Sequence, residues 1–184
     1  MKKVLITGVF GTGKTSLIDF LKNTLNGMGK RVKVVSEVAR NCPFDLNKKQ
    51  TILSTSWLVM AQMENEISFS KINNNYDYVI FDRGIPDIIA HAKFITKNNP
   101  NDNLYMDKLE GLGKASLISF DYIFLSKRSD RFKIDNDGLR VDDKLYQESL
   151  EEIHIDYLNN CQSSYIPLVE NNKDRVEQIL AAIL

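Results

Sequence analysis

Short apolar runs alternate with stretches in which apolar residues recur every three or four positions, along most of this 184-residue chain. Val4-Leu5-Ile6 predicts a first strand over residues 3–7. Leu17, Ile18, Leu21 and Leu25 then recur at helical spacing, which predicts a helix over residues 14–28 with Gly27 and Gly29 as its stop signals. β-Branched Val32, Val34 and Val35 predict a second strand from Arg31 to Ser36. A polar connection over 41–50 passes through Pro43. From about Asn47 to Asn73 the pattern turns helical: Leu53, Trp57, Met60 and Ile67 share one approximate face, and Ile52, Val59 and Met63 broaden it. That breadth predicts a helix buried from two sides.

The alternation continues to the end of the chain. Asp77 to Asp82 reads as a third strand, and Ile88, Ile89, Ala92 and Ile95 as the helix after it, on which lone His91 reads as a packing or hydrogen-bonding residue. A helical stretch over about 102–118 carries Gly111 and Gly113, read as an interruption. Tyr122 to Leu125 forms a fourth strand. A helix with Tyr146, Leu150, Ile153 and Tyr157 on one face follows, then a strand from Tyr165 to Val169 and a closing helix with Val176, Ile179, Leu180 and Ile183. Strands separated by helices at this spacing predict a three-layer α/β/α domain with a five-stranded parallel sheet. The length suits one domain, residues 1–184, able to bury a core without disulfides or metal.

The first strand-to-helix turn carries the clearest chemistry. Gly8-Val9-Phe10-Gly11-Thr12-Gly13-Lys14-Thr15 has the spacing of a P-loop (Walker A), in the strand–loop–helix context that the motif requires. Its glycines let successive N–H groups face one anion; Lys14 can reach the β- and γ-phosphates, and the Thr15 hydroxyl can ligate Mg²⁺. Residues Gly8 and Phe10 to Ser16 are the expected binding set for ATP. In such sheets ligands gather beyond the carboxyl ends of the strands. Glu37 and Arg40 follow the second strand and Asp82 and Arg83 the third, so these residues share one rim with the P-loop. An acid at the tip of an apolar strand suits a Mg²⁺ contact or a base that accepts a hydroxyl proton, which gives Thr15 and Asp82 as metal candidates. Arg83 is placed to hold a phosphate or substrate oxygen, and Asp87 reads as a helix cap. After the fourth strand, Arg128, Arg131 and Arg140 surround Gly138 in a polar segment, the composition expected of a mobile lid at about 127–142 over transferring phosphates.

Charge removes some alternatives. Lys and Arg total 24 and balance 24 Asp and Glu, with no basic block, which argues against an extended nucleic-acid or acidic-membrane surface. Cys42 and Cys161 lie far apart and read as two reduced thiols. No apolar span approaches ~18 residues, so a soluble, cytoplasmic protein is expected. The broad apolar faces fit either a crowded core or the seam of a homodimer.

Gly8 to Thr15, Glu37-Val38-Ala39-Arg40, Phe81-Asp82-Arg83-Gly84-Ile85-Pro86-Asp87 and Asp137-Gly138-Leu139-Arg140, in this order, resemble the P-loop kinase-like family of AAA-type ATPase/kinases of NAD metabolism. Its best-known member is the ribosylnicotinamide kinase domain of the bifunctional NAD regulator. More distantly the chain is similar to thymidylate and deoxynucleoside kinases. The resemblance implies a sheet of order 2-3-1-4-5, ATP phosphates at Gly11 to Thr15 and Mg²⁺ near Thr15 and Asp82. It implies substrate contacts from Glu37, Arg40, Asp82 and Arg83, and lid contacts from Arg128, Arg131 and Arg140. The activity it implies is ATP- and Mg²⁺-dependent phosphoryl transfer to a hydroxyl of a small, nucleoside-like acceptor. In that reaction Lys14, Mg²⁺ and the lid arginines stabilise the transferred charge, and either Glu37 or Asp82 orients the hydroxyl. The rival reading is a nucleotide-dependent ATPase or switch acting on a protein partner. Against it, Asp82 is followed by Arg83, not by a second acid that would activate water, and Asn172-Lys173-Asp174 lacks the spacing of a guanine reader.

Overall fold

The computed structural model describes residues 1–69, 75–96, 102–129, 132 and 143–184. Strands β1 (Lys2–Thr7), β2 (Val32–Val35), β3 (Tyr78–Asp82), β4 (Tyr122–Leu125) and β5 (Ile166–Pro167) form one sheet of order β2-β3-β1-β4-β5. Every pairing is parallel. Helices α1 (Lys14–Gly27), α2 (Ile52–Ser68), α3 (Ile85–Thr96), α4 (Asn103–Leu117), α5 (Lys144–Asn160) and α6 (Asn172–Ile183) alternate with the strands or pair between them. Two 3-10 turns, Val38–Asn41 and Asn47–Lys49, join β2 to α2.

Period-two alternation along β1 builds the layers. Val4 and Ile6 pack against Leu17, Leu21 and Leu25 of α1 and Val176, Ile179 and Ile183 of α6. Leu5 turns the other way, into a cluster with Val79, Phe81, Ile123 and Leu125 of the sheet, Leu117 of α4 and Leu158 of α5. A further cluster joins Val59, Ile85, Ile89, Met106, Leu109 and Tyr157 between α2, α3, α4 and α5. Both sheet faces are thus covered, as a parallel sheet requires. No described helix is long and apolar enough to cross a membrane. Cys42 and Cys161 are free and half-buried.

Three expectations about the elements are corrected. The helical pattern from Asn47 yields a 3-10 turn first, and α2 begins only at Ile52, where Thr51 closes a capping box with Ser54. On α2 the apolar face expected in the core points outward: Leu53 is 60%, Met60 50% and Ile67 66% exposed. The buried side carries Ser54, Thr55, Gln62 and Glu66 beside Leu58 and Val59. These polar groups find partners that periodicity cannot foresee; Gln50 Nε2 donates to Thr55 Oγ1 at 2.9 Å, and Ser116 Oγ to Glu66 Oε2 at 2.8 Å. Lastly, α4 runs unbroken through Gly111 and Gly113. A Cβ on Gly113 would strike the Tyr157 hydroxyl, so this glycine marks the close approach of α4 to α5.

Candidate active site

The P-loop is shaped by three left-handed glycines, Gly8 (φ 132°), Gly11 (φ 68°) and Gly13 (φ 74°), the last capping α1. At Gly8 a Cβ would also strike the Ser126 carbonyl at the end of β4. The first turn of α1 holds no acid, so no side-chain charge there opposes an anion at its N–H groups. Lys14 is buried and donates to the carbonyls of Gly8 (2.6 Å) and Val9 and to Thr12 Oγ1 (3.2 Å). Burial, with Arg83 adding to it, lowers its pKa to about 7. Thr15 and Ser16 are exposed at the mouth. Phe10 packs on Tyr146 of α5 with ring centroids 5.9 Å apart, and its carbonyl accepts from Gln147 Nε2.

Beside the loop stands a network of charged groups. β3 carries Asp82 to its tip, in register with Ile6 of β1. Arg83 then takes a left-handed backbone (φ 73°), uncommon for a residue with a side chain, and its guanidinium turns back across the site. Its Nε lies 2.8 Å from Glu37 Oε1, one terminal nitrogen donates to the Gly8 carbonyl at 2.9 Å, and the same nitrogen lies 3.6 Å from Asp87 Oδ1. Burial opposes its charge, but Glu37, Asp87 and Asp82 together raise its pKa. Asp87 is more than a cap: it accepts from Gly84 N–H (2.9 Å), Gly8 N–H (3.0 Å) and Thr7 Oγ1 (2.7 Å). Although burial works against its charge, His154, Arg83, Lys14 and the Gly84 N–H lower its pKa. Burial instead raises the Asp82 pKa, against the pull of Lys14 and Arg83.

A cleft opens on one side of this network. Glu37, Arg83, Asp87, His91 and His154 line it together with Gln50 and Gln62, while Val9, Val38, Leu58, Ile88 and Leu150 supply apolar walls. Asp82 is not part of that lining. Its carboxylate has no hydrogen bond among the described residues and interacts with Lys14 on the P-loop side. A half-buried carboxylate and the exposed Thr15 hydroxyl are hard oxygen donors, the set that suits Mg²⁺. Arg40 is exposed on the turn after β2, outside the cleft lining, where Val38 and Ala39 stand instead. Arg128 is held by α5, 2.9 Å from Glu148 Oε1 and 3.6 Å from Glu151 Oε2. Arg131, Arg140 and most of the 127–142 segment lie outside the described residues.

A family model described as an AAA domain matches residues 3–175. The chain belongs to that family. No curated protein matches it. Among solved structures it is similar to deoxyadenosine kinase from M. mycoides with products dCMP and a flexible dCDP bound, at 18% identity and TM-score 0.71, covering 98% of each chain. The same enzyme with bound dATP gives 16% identity and TM-score 0.68, covering 100% of this chain and 99% of that one. Thymidylate kinase from Candida albicans gives 14% identity and TM-score 0.68, covering 99% and 90%. At these identities the likeness is one of fold, and the fold is that of nucleoside and nucleotide kinases, with the sheet order described above.

Several site residues of this AAA domain were not found by reading the sequence. Asp87 reads in the sequence only as a cap; it is the left-handed turn at Arg83, just ahead of α3, that brings the guanidinium to 3.6 Å from its carboxylate. His154 carried a signal, a polar residue four positions after Leu150 inside the apolar stripe of α5. Thr7 looked like the last residue of a strand. Arg175 had no signal at all: it lies on the last helix, yet one terminal nitrogen donates to the Thr12 carbonyl of the P-loop (2.8 Å) and to Ser126 Oγ (3.2 Å).

Proposed function

We propose that this AAA domain is an ATP-dependent kinase that transfers the γ-phosphoryl group to a hydroxyl of a small nucleoside-like molecule, as in ribosylnicotinamide kinases. One observation carries the reading. Arg83 ties Glu37 to the Gly8 carbonyl, so a carboxylate faces the cleft at the edge of the P-loop while Asp82 faces Lys14. This division gives the two acids separate work. Glu37 accepts the proton of the bound hydroxyl as its oxygen bonds to the γ-phosphorus, and the bond to the β-phosphate oxygen breaks to leave ADP. Lys14 and the N–H groups at the start of α1 stabilise the charge on the phosphates. Mg²⁺, held by Thr15 and Asp82, would supply further neutralisation of that charge. Cleft amides at Gln50 and Gln62 beside apolar walls suit a flat heterocycle with polar edges.

The test is ADP formation from ATP with a panel of nucleosides, nicotinamide riboside and nucleoside monophosphates. Turnover is expected only with an acceptor, and Glu37→Gln should lower kcat by about 10²–10⁴ with little change in the KM for ATP. Acceptor-independent hydrolysis, or stimulation by a protein alone, would overturn the reading.

A further inference from the structure

His154 is only 3% exposed, yet it lines the cleft. Its neighbours determine which ring nitrogen carries hydrogen. Thr7 Oγ1 lies 2.7 Å from Asp87 Oδ2 and 2.9 Å from His154 Nε2. The Asp87 carboxylate also receives the N–H groups of Gly8 and Gly84 and lies against the Arg83 guanidinium, so it is ionised and can only accept. A threonine hydroxyl has one proton to give, and it goes to Asp87. The Thr7 oxygen therefore accepts from His154, and Nε2 bears the hydrogen. Burial lowers the imidazole pKa, with Lys14 and Arg83 adding to that effect and Asp87 opposing it. The neutral ring holds one hydrogen, so Nδ1 presents a bare lone pair; it makes no hydrogen bond among the described residues.

We propose that His154 is an acceptor-binding residue whose Nδ1 lone pair receives a second hydroxyl of the phosphoryl acceptor. The Asp87–Thr7 chain holds the tautomer that makes this possible. The cleft then offers one oxygen acceptor at Glu37 and one nitrogen acceptor at His154, which selects a ligand with two separate donor groups, as a sugar ring provides. A molecule with a single hydroxyl that fills the cleft displaces water from Nδ1 without offering it a donor, and that penalty is the source of discrimination. The inference rests on the kinase reading for the identity of the ligand as an acceptor, but not for the tautomer.

The chain has two histidines, so ¹⁵N spectra of the imidazole rings are simple to assign with His91→Gln. At pH 7 and without ligand, His154 should show a protonated Nε2 and a bare Nδ1; the opposite tautomer, or a charged ring, overturns the proposal. Kinetics with adenosine, its 2′- and 3′-deoxy analogues and nicotinamide riboside supply the second arm. His154→Phe keeps a ring but removes the lone pair, and should raise the acceptor KM about tenfold, leave the ATP KM within about twofold and flatten the preference between an acceptor and its deoxy analogue. If His154→Phe fails to fold, the isosteric Thr7→Val should give mixed tautomers and the same direction of KM change. Acceptor-dependent turnover with these KM values unchanged overturns the role of His154 alone. Absence of acceptor-dependent turnover in the wild type overturns the kinase reading, and with it any acceptor at His154.

Discussion

Arg175 is 1% exposed, and its hydrogen bonds run to the carbonyls of Thr12 and Val169, to Ser126 Oγ and to Asn172 Oδ1. All four partners are neutral, and Glu170 acts on it only at longer range. A buried guanidinium among neutral oxygens is costly unless an anion compensates it. Its bond holds the Thr12 carbonyl, and the N–H of the same trans peptide, that of Gly13 at the start of α1, points the opposite way. Phe132 covers the guanidinium, with its ring centroid 4.5 Å away, and touches Gly13 as well. Arg175→Met should therefore weaken binding of a fluorescent ATP analogue by about tenfold or more, and binding of adenosine far less; equal losses for the two ligands in titrations would show that the charge does not serve the phosphates. Histidine supplies a second prediction at this scale. Burial and Arg83 lower the His91 pKa to about 4, from an ordinary value near 6.5. Above pH 6.5 folded and unfolded chains carry the same neutral ring. Between pH 6.5 and 4 only the unfolded chain takes up the proton, so stability falls with falling pH, by up to about 3 kcal/mol from this group. His154 acts in the same direction. Urea unfolding from pH 7 to pH 4.5 should show the decline, and His91→Gln should make it shallower; an unchanged slope in that variant would exclude the assignment.

At the scale of elements, the two glycines of α4 have opposite reasons for their presence. Gly111 faces open space, with no atom within 4 Å of a built Cβ. A Cβ on Gly113 would strike the Tyr157 hydroxyl and stand 3.1 Å from Ile89 Cγ1, and that hydroxyl donates to the Glu110 carbonyl at 2.9 Å. Gly111→Ala should therefore stabilise the protein by up to about 1 kcal/mol through helix propensity. Gly113→Ala should destabilise it by about 1–3 kcal/mol, because the buried Tyr157 ring cannot withdraw without disturbing α3, α4 and α5 together. Thermal melts of the pair provide the check, and like-signed shifts would contradict the packing argument. Helix α2 illustrates the limit of patterning at the same scale. Its apolar stripe predicts one orientation; capping by Thr51 and the bonds made by Thr55 and Glu66 select another.

At the scale of the molecule, α5 links the two halves of the candidate reaction. Its first turns hold Phe10 of the P-loop through Tyr146 and Gln147, and two turns later it carries His154 to the cleft wall. Nucleotide binding should therefore protect more than the loop it touches. In amide hydrogen exchange, an ATP analogue is expected to slow exchange over residues 8–16 and also in α5 around 146–154; protection confined to the P-loop would disconnect the two sites.

The order of strands and helices, the P-loop and the rim residues Glu37, Asp82 and Arg83 were legible in the sequence, because each rests on local information. Hydrophobic periodicity sets an element's type, glycine spacing sets the loop's backbone, and the parallel topology brings strand ends to one rim. What only the tertiary structure decided depends on partners distant in the chain. Asp87, Thr7 and His154 meet across 80 and 147 positions, and Arg175 reaches Thr12 across 163. Likewise, no pattern within β2 or β3 could say that Glu37 would face the cleft and Asp82 the P-loop lysine. The left-handed turn at Arg83 sends its guanidinium to Glu37, the Gly8 carbonyl and Asp87, contacts made only after the sheet is assembled.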